Sequence, residues 1–166
     1  MAKIMLFGTT KVSVVPYELE QGLAKLAAEG HEFIIGDSNG AETSIQMSLS
    51  RIGAINQTTI YAMDRVRSNK FKAKERIFKV AYDEASKTAS IFDANTEEVL
   101  ETLDNVEQVI DIPGDKRYYE FRDRLMVDEC AIAMCLWNGD VSKCKREFHI
   151  IQLLGIHNKP CYTYKI

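Results

Sequence analysis

No apolar run in the chain reaches the roughly 18 residues that a membrane-spanning helix needs, and the stretch Ile4-Met5-Leu6-Phe7 near the start is too short for a secretory signal. A soluble, cytoplasmic protein with no membrane partner is therefore expected. A dominant charge is lacking too. The 24 acidic residues face 21 basic ones, a formal net charge of -3, which argues against general nucleic-acid binding and against electrostatic membrane docking. Cysteine is sparse and unpatterned. Cys130, Cys135, Cys144 and Cys161 show no C-x-x-C spacing, and three lie in or beside apolar segments, as small hydrophobes do. That spacing offers neither a zinc site nor a disulfide framework, and no cofactor is called for. Internal repeats, low-complexity tracts and linkers are likewise missing, so residues 1–166 read as one domain, with 46% hydrophobic composition sufficient for a single core.

What is present alternates strand and helix. Lys3 to Gly8 reads as a buried strand. Pro16 suits a helix start, with Leu19, Leu23, Leu26 and Ala27 at helical spacing and Gly30 as the stop. His31 to Gly36 is a second buried strand, followed by a helix carrying Ile45, Leu49 and Ile52 that ends at Gly53. Thr58 to Ala62 is a third strand, rich in β-branched residues. Residues 70–112 break the pattern and read as an insertion: a hairpin from Lys79 to Asp93 around Glu84-Ala85-Ser86-Lys87, then a short helix from Thr96 to Leu103 capped by Thr96. After Pro113-Gly114 come a helix from about Tyr118 to Glu129 with Phe121, Leu125 and Met126 inward, and an apolar strand from Ala131 to Trp137. A helix from Ser142 to Leu154 buries Phe148, Ile151 and Leu154 and stops at Gly155, and a last strand runs from Lys159 to Tyr164. The expected fold is a three-layer, Rossmann-like, doubly wound parallel sheet of about five strands with a hairpin-plus-helix insertion.

In such a sheet ligands sit beyond the carboxyl ends of the strands, which selects four turns. Gly8, Thr9 and Thr10 follow the first strand. The turn Gly36-Asp37-Ser38-Asn39-Gly40-Ala41-Glu42 feeds a helix whose free N–H groups and dipole suit an anion, with Asn39 and Gly40 at its tip. Glu42, three residues after Asn39, fits a capping box and reads as structural. Arg65, Arg67 and Asn69 cluster after the third strand, where a forked cation suits a phosphate or carboxylate. Trp137 and Ser142 flank the turn after the fourth. Tyr118, Tyr119 and Trp137 either stack a base or belong to the core.

Gly36-Asp37-Ser38-Asn39-Gly40-Ala41-Glu42, Tyr61 with Asp64-Arg65-Val66-Arg67-Ser68-Asn69, Arg122-Asp123-Arg124-Leu125-Met126 and Leu136-Trp137-Asn138-Gly139 together resemble the Rossmann-like nucleotide-binding proteins of the SLOG superfamily. That group includes the DNA-processing A and lysine-decarboxylase-like "lonely guy" families and lies close to the nucleoside deoxyribosyltransferases. The resemblance implies a nucleotide-type ligand with its phosphate near Gly8-Thr9-Thr10 and Gly40. This chain departs from those relatives at three places: Gly8-Thr9-Thr10 replaces Gly-Ser-Arg, leaving Lys11 as the only nearby cation, Ser142-Lys143-Cys144-Lys145 replaces a glycine-threonine turn, and Ala131 replaces an aspartate.

Two functions follow from the resemblance. A sensor or sequestering protein binds the nucleotide without turnover, and the lost arginine and glycine fit this reading. Alternatively, a nucleoside 5'-monophosphate N-glycosidase or deoxyribosyltransferase-like enzyme uses Glu147, at the place where relatives carry a catalytic glutamate, with Asp123 protonating the departing base and Asp37 holding the ribose hydroxyls. The plain reading of Glu147 is a solvated helix residue paired with Lys143. The insertion is a candidate dimerisation surface, and a homo-oligomer is expected.

Overall fold

A computed structural model of the chain describes residues 1–10, 14–38, 40–107 and 115–166. Its elements are β1 (Lys3–Gly8), α1 (Tyr17–Ala28), β2 (Glu32–Ile35), α2 (Ala41–Arg51), β3 (Thr58–Met63), β4 (Lys74–Asp83), β5 (Thr88–Asp93), β6 (Val99–Leu103), α3 (Lys116–Glu129), β7 (Ile132–Trp137), α4 (Lys145–Ile156) and β8 (Cys161–Lys165). Strand β1 sends Ile4 and Leu6 into one core and Met5 and Phe7 into another, all four without solvent exposure. A strand wetted on neither face needs a layer above and a layer below. Helices α1 and α2 supply one layer through Leu19, Leu23, Ile45 and Leu49, and α3 and α4 the other through Phe121, Met126, Ile150 and Leu154. Each fully buried aliphatic side chain here contributes about 1.5–3 kcal/mol relative to exposure.

The sheet order is β6-β5-β4-β3-β2-β1-β7-β8. From β4 to β8 through β3, β2, β1 and β7 all neighbours are parallel, while β4-β5 and β5-β6 are antiparallel. The chain steps outward from β1 through β2 and β3, then returns to lay β7 on β1's other side. The strand order therefore reverses between β1 and β7, and in doubly wound sheets the carboxyl ends of the strands at such a point are where ligands bind.

The doubly wound α/β reading holds, but the sheet has eight strands rather than about five. The difference lies in the segment read as an insertion. Instead of sitting apart, β4 pairs in parallel with β3 from Thr59↔Lys74 to Met63↔Phe78, and β5 and β6 extend it as a meander. The turn at residues 84–87 is where the sequence places it. The expected helix at Thr96–Leu103 is a hairpin turn followed by β6. Asp93 Oδ1 accepts the backbone N–H groups of Asn95 and Thr96, and Glu97 takes a positive φ of 63°. Polar turn chemistry mimics a helix cap at this point. The pairing of Leu103 with Ala89 and Thr102 with Ser90 then decides for strand.

Helix α4 starts at Lys145 and runs through Gly155 to Ile156, so neither Ser142 nor Gly155 bounds it. Ile150 and Leu154 are its buried apolar residues, while Phe148 and Ile151 are half-buried. At the amino ends of β3 and β4, Arg76 donates to Asp93 (2.9 Å) and to Glu129 (2.7 Å), and Tyr61 donates to Glu129. These contacts tie the last turn of α3 to the sheet. Among the described residues no helix is long and apolar enough to cross a membrane.

Candidate functional site

Beyond the carboxyl ends of β2, β1 and β7, the helices meet through a cluster of buried charge. Asp37, Glu42, Arg122, Asp123 and Glu147 are each at most 5% exposed. They come from the exit of β2, the first turn of α2, the middle of α3 and the first turn of α4. Arg122 donates to Asp37 Oδ1 (3.0 Å) and to Asp123 Oδ1 (3.3 Å). Arg146 donates through Nε to Asp123 Oδ2 (2.9 Å), and through one terminal nitrogen to Asp123 Oδ1 (3.1 Å) and Glu42 Oε1 (2.8 Å). Glu42 Oε2 in turn accepts the backbone N–H of Ser38 at 2.8 Å. Arg146 thus joins three helices through two carboxylates. Gly36 makes room for this arrangement, since a Cβ there would lie 3.0 Å from Glu42 Oε2 and 3.1 Å from the Arg122 guanidinium carbon.

Asp37 is saturated. Its two oxygens accept the Arg67 backbone N–H (2.9 Å), Arg67 Nε and Nη2 (3.2 Å each) and Arg122. With four donors in place and 2% exposure, it orients arginines and is not free to accept ribose hydroxyls. Asp123 is also committed. Burial pushes its carboxyl up, but Arg146 and Arg122 outweigh burial and hold it below the usual carboxylate range. An ionised carboxylate shared by two guanidiniums anchors both arginines. For Arg146, burial acts to lower the guanidinium, yet Asp123 and Glu42 raise it well above its ordinary value.

Glu147 is the member left over. It is 5% exposed, so it is not a solvated helix residue, and Lys143 pairs with Asp140 instead. Among the described residues no group donates a hydrogen bond to its carboxylate. Its charge reaches Cys135, whose thiol is raised chiefly by burial, with smaller contributions from Cys161 and Glu147. In the same cluster, one terminal nitrogen of Arg146 and Nε of Arg122 are buried without partners among the described residues. Three arginines, counting Arg67, pair with three carboxylates, Asp37, Glu42 and Asp123, in this cluster. Buried ion pairs return little net stability against the desolvation they require, and the buried guanidinium nitrogens left without a partner among the described residues add to that cost. Groups kept under those conditions make this cluster the candidate functional site.

The turns expected to hold phosphate are used by the fold itself. The Ala41 N–H is taken by the Thr9 carbonyl at 3.0 Å, and the Thr9 N–H by the Leu136 carbonyl at 3.0 Å. Gly40 has φ 85°, and a Cβ on it would lie 2.1 Å from the Thr10 carbonyl oxygen. Gly8 is equally crowded, since a Cβ there would lie 2.4 Å from the Leu136 carbonyl oxygen. The close backbone approaches at Gly8, Thr9, Thr10 and Gly40 therefore serve the docking of α2 on β1. Asn39 and Lys11 lie outside the described residues.

Asn69 staples the loop between β3 and β4, exchanging hydrogen bonds with the backbone of Ala73 and donating to Glu75. Ser142 is exposed and bonds to Asp140 within its own turn. Trp137 is half-buried against the α3/α4 core, and Tyr118 is 1% exposed. Arg65 is exposed, and Arg67 is half-exposed over the ring of Tyr119.

Sequence reasoning missed Arg122 and Arg146 as members. Arg146 lies in a Lys-Arg-Glu run that reads as a solvated helix start, and only the approach of α3 to α4 reveals its partners. A concavity of about 650 Å³ lies at the other end of the sheet between Thr59, Lys74, Arg76, Asp93, Asn95 and Thr96. Its Arg76 and Asp93 are already paired with each other. No protein-family model and no curated protein matches the chain.

Proposed function

We propose that the protein binds a nucleotide or nucleotide-derived signal above the carboxyl ends of β1, β2 and β7, as a sensor or sequestering protein. The observation that carries this reading is the frame of buried carboxylates and arginines at the strand ends, where Glu147, 5% exposed on the first turn of α4, accepts no hydrogen bond from the described residues. A surplus acceptor of this kind is relieved by a ligand that brings hydroxyl or amine donors, which the sugar and base of a nucleotide supply. The doubly wound topology supports the location. A second reading, cleavage of the bond between base and sugar, rests on the same residue. A preorganised carboxylate stabilises positive charge developing at an anomeric carbon, although Asp123 is then unavailable as the acid.

One experiment separates the two. The purified protein is incubated with nucleosides, nucleoside mono- and diphosphates, deoxynucleotides, NAD and cyclic nucleotides, and both the supernatant and the heat-released fraction are chromatographed. Recovery of one intact nucleotide from the protein supports the binder, and free base accumulating with time supports the enzyme. If neither appears, both readings fall.

A further inference from the structure

We infer that the phosphoryl group of the ligand is held by Arg67 on the face of Tyr119, in the loop after β3, and not at the N-terminus of α2. This inference rests on the nucleotide reading above. The α2 terminus is closed to an oxyanion on three counts. Its Ala41 N–H is engaged by Thr9, the space over Gly40 is filled by the Thr10 backbone, and Glu42 places a fully buried carboxylate in the first turn. A phosphate there would meet like charge at short range.

Arg67 has the opposite character. Asp37 binds its Nε and Nη2 edge and its backbone N–H, and the Tyr119 ring lies 5.5 Å from its guanidinium carbon. Arg122, 5.4 Å from the same ring, pins Asp37 from the buried side. One edge of the guanidinium is therefore fixed, and its plane is set by the ring. Nη1 has no partner among the described residues, and the side chain remains 47% exposed. A forked donor held in one orientation before the ligand arrives binds an oxyanion at small entropic cost. Arg65, exposed in the same loop, adds positive charge. Asp37, expected to touch the ribose, instead acts as a positioning residue for this arginine.

The test is calorimetric titration of the full chain with matched pairs, each nucleoside with and without its 5'-phosphate, in wild type, Arg67→Met, Arg67→Lys and the control Lys143→Met. Lys143 is 71% exposed and paired only with Asp140. The expected result is tighter binding of one monophosphate than of its nucleoside, with that advantage reduced about tenfold or more in Arg67→Met. It should be partly retained in Arg67→Lys and unchanged in Lys143→Met. Arg67→Lys keeps charge and stem, and carries the test if the methionine variant melts early. If the phosphate advantage survives Arg67→Met, or if nucleosides bind without any such advantage, the subsite is wrong while the nucleotide reading stands. If no nucleoside or nucleotide binds wild type, both fall.

Discussion

Replacing Arg122 with methionine removes the one fully buried cation that faces both Asp37 and Asp123. The guanidinium is 1% exposed and lies 3.0 and 3.3 Å from those two carboxylates, which are themselves almost fully buried. Methionine keeps much of the volume, so the cavity term is small, and the change is electrostatic. Asp37 retains Arg67 and Asp123 retains Arg146, yet three carboxylates, counting Glu42, then share two arginines. Breaking a buried pair from one side costs about 3–5 kcal/mol, a large part of the roughly 5–15 kcal/mol that holds an ordinary domain together. For a chain of this size that corresponds to a fall in Tm of roughly 6–20 °C.

The matched control is Arg124→Met. Its pair with Glu101 is just as short, 2.6 Å, but 44% and 34% exposed, and such pairs are worth about 0–1 kcal/mol. The two variants are compared by urea unfolding at neutral pH. If Arg122→Met costs no more than Arg124→Met, the cluster is not a buried charge network and cannot frame a ligand in the way described. The pH dependence adds a second check. Burial pushes the Asp123 carboxyl up, but Arg146 and Arg122 hold it below its ordinary value. Its contribution is therefore complete above the unfolded value near pH 3.9, and is lost as pH falls through the lower folded value. The gap between wild type and Arg122→Met should hold near pH 7 and close only in acid below about pH 4.

Glu147→Gln should leave the free protein as stable or raise its stability by up to about 1 kcal/mol, because no described residue donates a hydrogen bond to this carboxylate and the amide keeps its shape, while ligand affinity or turnover falls. Loss of stability on that change would show that the carboxylate has a structural partner. Gly40→Ala should cost about 2 kcal/mol or more, since φ is 85° and the new Cβ meets the Thr10 carbonyl, and a melting temperature within a degree of wild type would refute the close docking of α2. Burial raises the thiols of Cys130 and Cys135 and pushes that of Cys161 up to about 11. A thiol reagent at pH 8 should therefore label these cysteines slowly in the folded protein and promptly in urea, and rapid native labelling would contradict the packing of β7 against α4.

Much of the scaffold was legible because its signals are local. The alternation within Ile4-Met5-Leu6-Phe7, the i, i+4 pair Leu19 and Leu23 and the stop at Gly30 depend only on neighbours in sequence. Strands β4 and β6 were harder. Their pairing is decided by partners far along the chain, and Thr96-Glu97-Glu98 carries the same polar signal for a tight turn as for a helix start. The candidate site was half legible for a related reason. The strand-end rule found Asp37 and Arg67, and the family resemblance Asp123 and Glu147, but their roles depend on which charges meet across α2, α3 and α4. Asp37 and Asp123 changed from ligand contacts to anchors once Arg122 and Arg146 were seen beside them. Gly40 changed from a phosphate approach to a packing contact for the same kind of reason.

Whether a nucleotide-type ligand sits above the carboxyl ends of the strands is decided by a backbone amide chemical-shift titration of the full chain with the nucleoside monophosphate that calorimetry selects. Binding at that place should perturb amides clustered at Ser38, Arg67, Tyr119 and Glu147. Perturbations centred instead on Lys74, Asn95 and Thr96, at the opposite end of the sheet, or none at saturating concentration, would contradict it.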